Sequence, residues 1–277
     1  MNTKSKESSR SSTQRFSLSA VIALSFALSH TAFAGSWGAW DSWTENNNWI
    51  VGGSVVGAAD VISKSTVGLI NGGALCTASI IDVDLAVTAA HCVEMDEGIG
   101  LVFAQDLRAP KAKAVQVTGV VVNPNWWSNQ SNEKNTGDIA LVRFAGGIPA
   151  GFAKVKLLTQ ASALKKGGTI TLAGYGITDA AIQSGAGTLR KADVTILNPK
   201  FSTTEILFDQ SSGRGGCHGD SGGPAFIQSG ADLLLMGVTS RGYPANAPDD
   251  CVHQSIYTKV TSYSSWLKAA AKSLRGK

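Results

Sequence analysis

The chain has 277 residues, of which 24 are lysine or arginine, 20 are aspartate or glutamate and four are cysteine, and its formal net charge is +4. This length allows one or two domains, and the basic residues form no dense cluster, which argues against nucleic acid as a partner. After residue 34, no segment is long and apolar enough to predict a membrane span.

Residues 1–34 are typical of a secretory signal peptide. Four basic residues precede the apolar stretch FSLSAVIALSFALSHTAFA, and its small terminal residues predict cleavage after Ala34. A membrane anchor is the alternative, which is disfavoured because polar residues interrupt an already short run. We therefore expect a secreted or periplasmic protein, whose four cysteines form two disulfides in an oxidising compartment.

Residues 35–49, GSWGAWDSWTENNNW, contain four tryptophans and show no periodicity of aliphatic residues. We interpret them as a pro-segment that precedes the folded part of the chain. A disordered N-terminus of the mature protein is the alternative.

From Ile50 onward, short apolar runs alternate with clusters of glycine, asparagine, aspartate and serine. Strand-like runs rich in β-branched residues are DLAVTAAHC, AVQVTGVVV, DIALVRF, TITLAGYG, ADVTILNP, PAFIQ, LLLMGVTS and SIYTKV. Only the last segment, SYSSWLKAAAKSLRGK, has the periodicity of a helix. The pattern predicts an all-β fold, a sandwich or a barrel, with a C-terminal α-helix.

The segment GCHGDSGGP surrounds Ser221 with glycines. If Ser221 is a nucleophile, it needs a base, and the base needs an orienting group. His91 is the best candidate base because it ends a strand-like run beside Cys92, whereas His218 is too close to Ser221 in sequence to fold back easily. Asp138, at the start of DIALVRF, is the best orienting carboxylate, although taken alone it is more simply a loop residue.

Two other interpretations of these residues are weaker. GDSGG matches the nucleophile elbow of α/β-hydrolases, but that elbow needs a strand before the serine and a helix after it, and the flanking residues predict neither. Cys217-His218 and Cys251-x-His253 could suggest metal ligands, but no C-x-x-C or H-x-x-x-H spacing is present. We therefore predict no metal site and no cofactor.

Four motifs taken together resemble the chymotrypsin/trypsin family of serine endopeptidases. They are IVGG at Ile50, VTAAHC ending at Cys92, GDIALVRF at Gly137 and GDSGGP at Gly219. Their order and approximate separations are those of the family, and the resemblance covers nearly all of residues 50–277. TAAHC upstream of GDSGGP is a highly specific combination, whereas either half alone is much weaker.

The resemblance implies a fold and a set of roles. The fold is two antiparallel six-stranded β-barrels packed together, an N-terminal one in residues 50–150 and a C-terminal one in residues 151–277 that includes the terminal helix. Ser221 would attack the scissile carbonyl, His91 would transfer the proton, and Asp138 would orient the imidazole.

The resemblance also assigns supporting residues. The N–H groups of Gly219 and Ser221 would form an oxyanion hole, which stabilises charge that develops in the transition state. The implied disulfides are Cys76–Cys92 and Cys217–Cys251.

The primary specificity pocket follows from the same resemblance. Its residues would be Gly215 at the base, Gly242 and Ser255 at the walls, and Ser240 in the lining. Gly215 carries no charge, so we expect large apolar or aromatic P1 residues, with small aliphatic residues as the second possibility. A basic P1 residue stays open, because Asp249 and Asp250 could lie near the rim. Arg241 stands where the family commonly has tryptophan.

IVGG indicates that the protein is made as a zymogen. In the family, cleavage before the isoleucine frees an ammonium group that pairs with the aspartate preceding the nucleophile, which here implies a pair of Ile50 and Asp220. The residue before the cleavage site is Trp49, whereas a basic residue is common there. We therefore expect self-processing at Trp49.

The main alternative to an active protease is a catalytically silent member of the same fold that acts as a binding protein. Such proteins typically lack a triad residue, and this sequence keeps all three. The expected partners are protein or peptide substrates. We expect a monomer that does not bind nucleic acid and is free of the membrane once the signal is removed.

Overall fold

The computed structural model describes residues 50–94, 98–245 and 251–276. The predicted signal peptide, the predicted pro-segment with Trp49, and the pair Asp249 and Asp250 lie outside the described residues.

Six antiparallel strands close into a first barrel. They are β2 (Thr66–Asn71), β3 (Ala74–Asp82), β4 (Leu85–Thr88), β5 (Gly100–Phe103), β6 (Lys113–Val122) and β7 (Ala140–Phe144). Their order around the barrel is β2-β3-β4-β7-β6-β5. Side chains such as Leu69, Ile80, Leu101 and Leu141 are fully buried inside, because alternate residues of a strand face the same side.

A second barrel follows in the chain. Its strands are β9 (Thr169–Gly174), β10 (Arg190–Asn198), β11 (Glu205–Asp209), β12 (Pro224–Ser229), β13 (Asp232–Tyr243) and β14 (Gln254–Lys259). The order is β10-β11-β14-β13-β12-β9, and pairing of β9 with β10 closes the barrel. Its core includes Ile170, Ile206, Phe208 and Tyr257.

Two short strands are added to the second barrel. β1 (Ser54–Val55) pairs antiparallel with β10, and β8 (Lys156–Leu157) pairs parallel with β13. Thus β1, which precedes every strand of the first barrel, extends the sheet of the second.

The helices are short except for the last one. They are α1 (Ile62–Ser65), α2 (Pro124–Asn129) and α3 (Ser264–Arg275), with 3₁₀ turns at Ala161–Ala163 and Val260–Tyr263. α3 belongs to the second half of the chain, but Leu267, Ala270 and Leu274 join the core of the first barrel. None of the helices in the described part of the chain has the length and apolar character that a membrane span requires.

The predicted fold class is confirmed: two closed six-stranded antiparallel barrels and a C-terminal helix. Each of the eight strand-like runs contains a strand. The individual elements β1, β2, β3, β5, β8, β11, α1 and α2 were not predicted. The division at residue 150 remains a prediction, and β1 and α3 each pack on the barrel built from the other part of the chain.

Candidate active site

His91 and Asp138 lie side by side where two paired strands meet. Thr88 at the end of β4 is opposite Ala140 at the start of β7. His91 Nδ1 and Asp138 Oδ2 are 2.8 Å apart, and the backbone N–H of His91 donates to Asp138 Oδ1 at 3.1 Å. One carboxylate thus fixes both the ring and the main chain of His91, and the other ring nitrogen, Nε2, points away from it.

The second barrel completes the environment of Asp138. Ser240 Oγ donates to Asp138 Oδ2 at 2.6 Å, and Thr258 Oγ1 donates to the Asp138 carbonyl at 2.8 Å. Asp138 is only 1% exposed. Hydroxyls of the second barrel therefore hold both the carboxylate and the main-chain carbonyl of Asp138.

The charges of this pair determine its protonation. Burial would lower the pKa of His91, but the adjacent Asp138 carboxylate outweighs burial and holds this pKa above its ordinary value. Burial would likewise raise the pKa of Asp138, but the His91 ring and Ser240 hold it below its ordinary value. Asp138 is therefore the ionised partner and can stabilise an imidazolium.

The loop that carries Ser221 packs directly against the strand leading to His91. Gly222 has φ of +79°, and a Cβ there would lie 2.1 Å from Thr88 Oγ1 and 2.9 Å from the backbone nitrogen of Ala89. Glycine is required at this approach on both counts. Among the described residues, Ser221 and His91 are not linked by a hydrogen bond, and in sites without substrate such bonds are often long.

Thr77 orients the backbone of the same loop. Its N–H donates to the Ser221 carbonyl at 2.8 Å, and its Oγ1 donates to the Gly219 carbonyl at 2.9 Å. The N–H groups of Gly219 and Ser221 donate to no acceptor among the described residues. Two backbone donors are thus available beside the serine. Thr77 was missed by the sequence analysis, and nothing around it in the sequence signals this role.

Both predicted disulfides are present. Cys76 pairs with Cys92 and Cys217 pairs with Cys251, with Cα–Cα distances of 6.2 and 5.0 Å. The first joins the residue before Thr77 to the residue after His91, and the second closes a loop of the chain that contains Ser221. Loops of this size correspond to about 3–4 kcal/mol each in the chain-entropy view.

The disulfides also bear on the metal interpretation. In the described part of the chain, His91 and His218 each lie near two cysteine sulfurs. Those sulfurs are all in disulfides, so they offer no thiolate to a metal ion.

A cavity of about 290 Å³, called here the specificity cavity, opens beside Ser221. Its lining consists of Gly216, Cys217, His218, Ser221, Thr239, Ser240, Arg241, Gly242, Pro244, Ala245, Cys251 and Ser255. Three of the four residues predicted for the pocket, Ser240, Gly242 and Ser255, are among them. Gly215 is not, because it is buried one residue behind Gly216.

Arg241 forms an ion pair with a fully buried carboxylate. Its Nη1 lies 3.0 Å from Glu205 Oε1 and also donates to Ser240 Oγ at 3.1 Å. Glu205 also accepts from the backbone N–H groups of Asn135 and Thr136. The network reaches Asp138 through Ser240. Glu205 was not predicted, although a carboxylate opening the apolar run EILFD is a signal that could have been noticed.

Ile50 and Asp220 are both buried, at 1% and 2% exposure. The Asp220 carboxylate accepts from the backbone N–H groups of Gly176 and Cys217 at 2.8 and 2.9 Å. No hydrogen bond among the described residues links it to Ile50. Burial raises the pKa of Asp220 to about 7, because two backbone donors only partly compensate for lost hydration.

Comparisons with known proteins agree with this architecture. The family model described as Trypsin matches residues 50–267. A chymotrypsin of Phaedon cochleariae is 26% identical, over 70% of this chain and 71% of its own length. Kallikrein-8 of Mus musculus is 27% identical, over 70% and 76%. Trypsin-1 of Astacus astacus is 25% identical, over 71% and 87%.

Proposed function

Because the chain belongs to the trypsin family, we propose that it is a serine endopeptidase that hydrolyses peptide bonds through an acyl-enzyme intermediate. The observation that carries the proposal is the His91–Asp138 hydrogen bond of 2.8 Å beside a loop that presents Ser221. The two unpaired N–H groups of that loop support it further.

In the proposed reaction, Ser221 Oγ bonds to the scissile carbonyl carbon while its proton passes to His91 Nε2. The N–H groups of Gly219 and Ser221 donate hydrogen bonds to the oxyanion that develops on the carbonyl oxygen. The imidazolium, stabilised by Asp138, then gives its proton to the leaving amine as the carbon–nitrogen bond breaks. Water attacks the resulting ester with His91 again as the base, and the proton returns to Ser221.

Covalent labelling tests this proposal. A serine-reactive fluorophosphonate should label the processed protein stoichiometrically, and peptide mapping by mass spectrometry should locate the label on Ser221. Ser229→Ala, at an exposed strand end, should label normally, whereas Ser221→Ala should not. A correctly processed wild-type protein that stays unlabelled would favour a catalytically silent binding protein instead.

For specificity, we propose P1 residues that are uncharged and large, either apolar or aromatic. No carboxylate lines the specificity cavity among the described residues, which disfavours a basic P1 residue. Gly216 and Gly242 leave room at two places, and Ser255 narrows a third. Small aliphatic P1 residues are the second possibility.

We further propose that the protein is a secreted or periplasmic zymogen. In this proposal residues 1–34 are a signal peptide, residues 35–49 a pro-segment, and Ile50 the mature N-terminus. The raised pKa of Asp220 supports an activation pair, since a buried carboxylate gains from a cationic partner. The proposed working form is a monomer that acts on proteins or peptides.

Self-processing gives a direct prediction. A Ser221→Ala precursor secreted alone should keep the Trp49–Ile50 bond intact, because the only active site available to cut it is missing. N-terminal sequencing of the secreted product would check this. Added wild-type enzyme should restore cleavage. A mature N-terminus at Ile50 without it would mean that another protease performs the step.

A further inference from the structure

The side chain of Gln210 connects two segments that line the specificity cavity. Gln210 follows β11 and is fully buried. Its Oε1 accepts the N–H of Gly216 at 2.9 Å, and its Nε2 donates to the carbonyls of Gly216 at 3.2 Å and Cys251 at 3.1 Å. Gly216 and Cys251 both line the cavity. The carboxamide therefore extends from one lining segment to the other.

Gly215 shows which space this carboxamide occupies. A Cβ at Gly215 would lie 2.1 Å from Gln210 Cδ, 2.3 Å from Oε1 and 2.4 Å from Cγ. The backbone of Gly215 is not in the left-handed region, so position 215 excludes larger residues through lack of space alone. The direction in which a side chain at 215 would project is already filled by Gln210.

The bonds of Gln210 make it a rigid element. Both hydrogens of the amide and one lone pair of its oxygen are engaged by backbone groups, and the Gln210 N–H donates to the His253 carbonyl at 3.0 Å. Moving this buried side chain aside would break these hydrogen bonds, so the movement has a free-energy cost. It is also uncharged, so it offers a basic P1 side chain no counterion.

We propose that Gln210, which packs behind the lining residues Gly216 and Cys251, forms the closed floor of the specificity cavity and limits it to uncharged P1 side chains of restricted length. This inference rests on the proposed function and identifies what sets the depth of that site. Gly215 then contributes only by leaving space for the Gln210 carboxamide, and position 215 has no side chain that could contact the substrate.

A graded series of peptides tests the floor. Peptides that differ only at P1, with norvaline, norleucine or 2-aminoheptanoate, lengthen the side chain by one methylene at a time. In Gln210→Ala the ratio of kcat/KM for the longest to the shortest should rise roughly tenfold over wild type, since two methylenes gain space in an apolar slot. Gln210→Met is the matched control: it keeps the length of the side chain but not its hydrogen bonds, so the ratio should stay as in wild type.

A double variant covers the case in which Gln210→Ala is poorly folded. Gly215→Ala alone should be disrupted by contact with Gln210. Gly215→Ala combined with Gln210→Ala should fold and return the length ratio toward wild type, because the new methyl group refills the space. The proposal would be overturned if the kcat/KM ratio stayed unchanged in Gln210→Ala. It would also be overturned if Gln210→Met changed the ratio as much as Gln210→Ala does.

Fluorophosphonate labelling of every variant separates this inference from the proposed function. Labelling reports the catalytic residues and does not depend on the length of a P1 side chain. If the wild-type protein is not labelled, the proposed function is wrong. An unaltered length ratio in protein that labels fully counts against the floor alone.

Discussion

Asp138→Asn should lower turnover by about 10⁴-fold, a magnitude typical of triads in which the orienting carboxylate becomes an amide. Asp138 Oδ2 accepts from both His91 Nδ1 and Ser240 Oγ, and Oδ1 accepts from the His91 backbone N–H. An amide has one acceptor oxygen, so either orientation of asparagine places a donor against a donor. If the amide nitrogen faces Nδ1, the imidazole carries its proton on Nε2 and cannot accept one from Ser221.

The pH profile should change in the same variant. In the wild type, kcat/KM should fall as pH decreases through a pKa above the ordinary histidine value, because the Asp138 carboxylate favours the imidazolium. Without that charge, burial lowers the pKa of His91. The acid limb of the residual activity of Asp138→Asn should therefore shift to a lower pH. Steady-state kinetics from pH 5 to 9 would measure both effects.

Asp193→Asn is the matched control, because it makes the same chemical change at an exposed carboxylate that pairs with Thr171. It should leave turnover and pH profile as in the wild type. Near-normal turnover of Asp138→Asn would mean that a different carboxylate orients His91.

Arg241→Met should lower the free energy of unfolding at pH 7 by about 3–5 kcal/mol, as expected when a fully buried carboxylate, Glu205, loses its counterion. Burial alone would raise the pKa of Glu205, and the Arg241 guanidinium with the backbone donors holds it below its ordinary value. The pair therefore stabilises the fold above the ordinary glutamate pKa, and this contribution is lost as pH falls through the lower folded value. Denaturant titration at pH 7 and pH 4 would measure the loss and its decrease in acid.

Two comparisons isolate the ion pair from the volume of the side chain. Arg108→Met removes a guanidinium from an exposed pair with Asp106, and there the loss should be at most about 1 kcal/mol. Arg241→Met with Glu205→Gln should recover part of the stability, since an amide needs no counterion. A double variant no more stable than Arg241→Met would show that packing of the Arg241 side chain, rather than charge, is what matters.

The fold was predictable where valines cluster, as in β6, or where apolar and polar residues alternate, as in β10. β2 and β3, with the sequences TVGLIN and ALCTASIID, contain glycine, alanine and cysteine that weaken a strand signal taken one segment at a time. Their pairing across the whole length of β2 supplies what local propensity does not. The number of strands and the closure of each barrel came from the family resemblance and not from periodicity.

The residues of the candidate site likewise form two groups: those that lie in recognisable sequence motifs and those that do not. His91, Asp138 and Ser221 lie in motifs that can be recognised in the sequence. Thr77 and Gly219 are 142 residues apart, and their contact has no local signature. Gln210 is likewise an ordinary polar residue in sequence, and only the missing space beside Gly215 reveals its position. Contacts of this kind join segments that are distant in the sequence, so they can be found only in the folded structure.

The placement of β1 and α3 affects how the two halves can come apart. β1 is paired with the second barrel, and Arg275 at the end of α3 bonds to Asp82 and Asp84 of the first. Each barrel therefore has one terminal segment of the other half of the chain packed against it. A single nick in the connection between β7 and β8 would leave two fragments that still migrate as one particle. The proposed triad, which takes residues from both halves, would therefore stay assembled after such a cut.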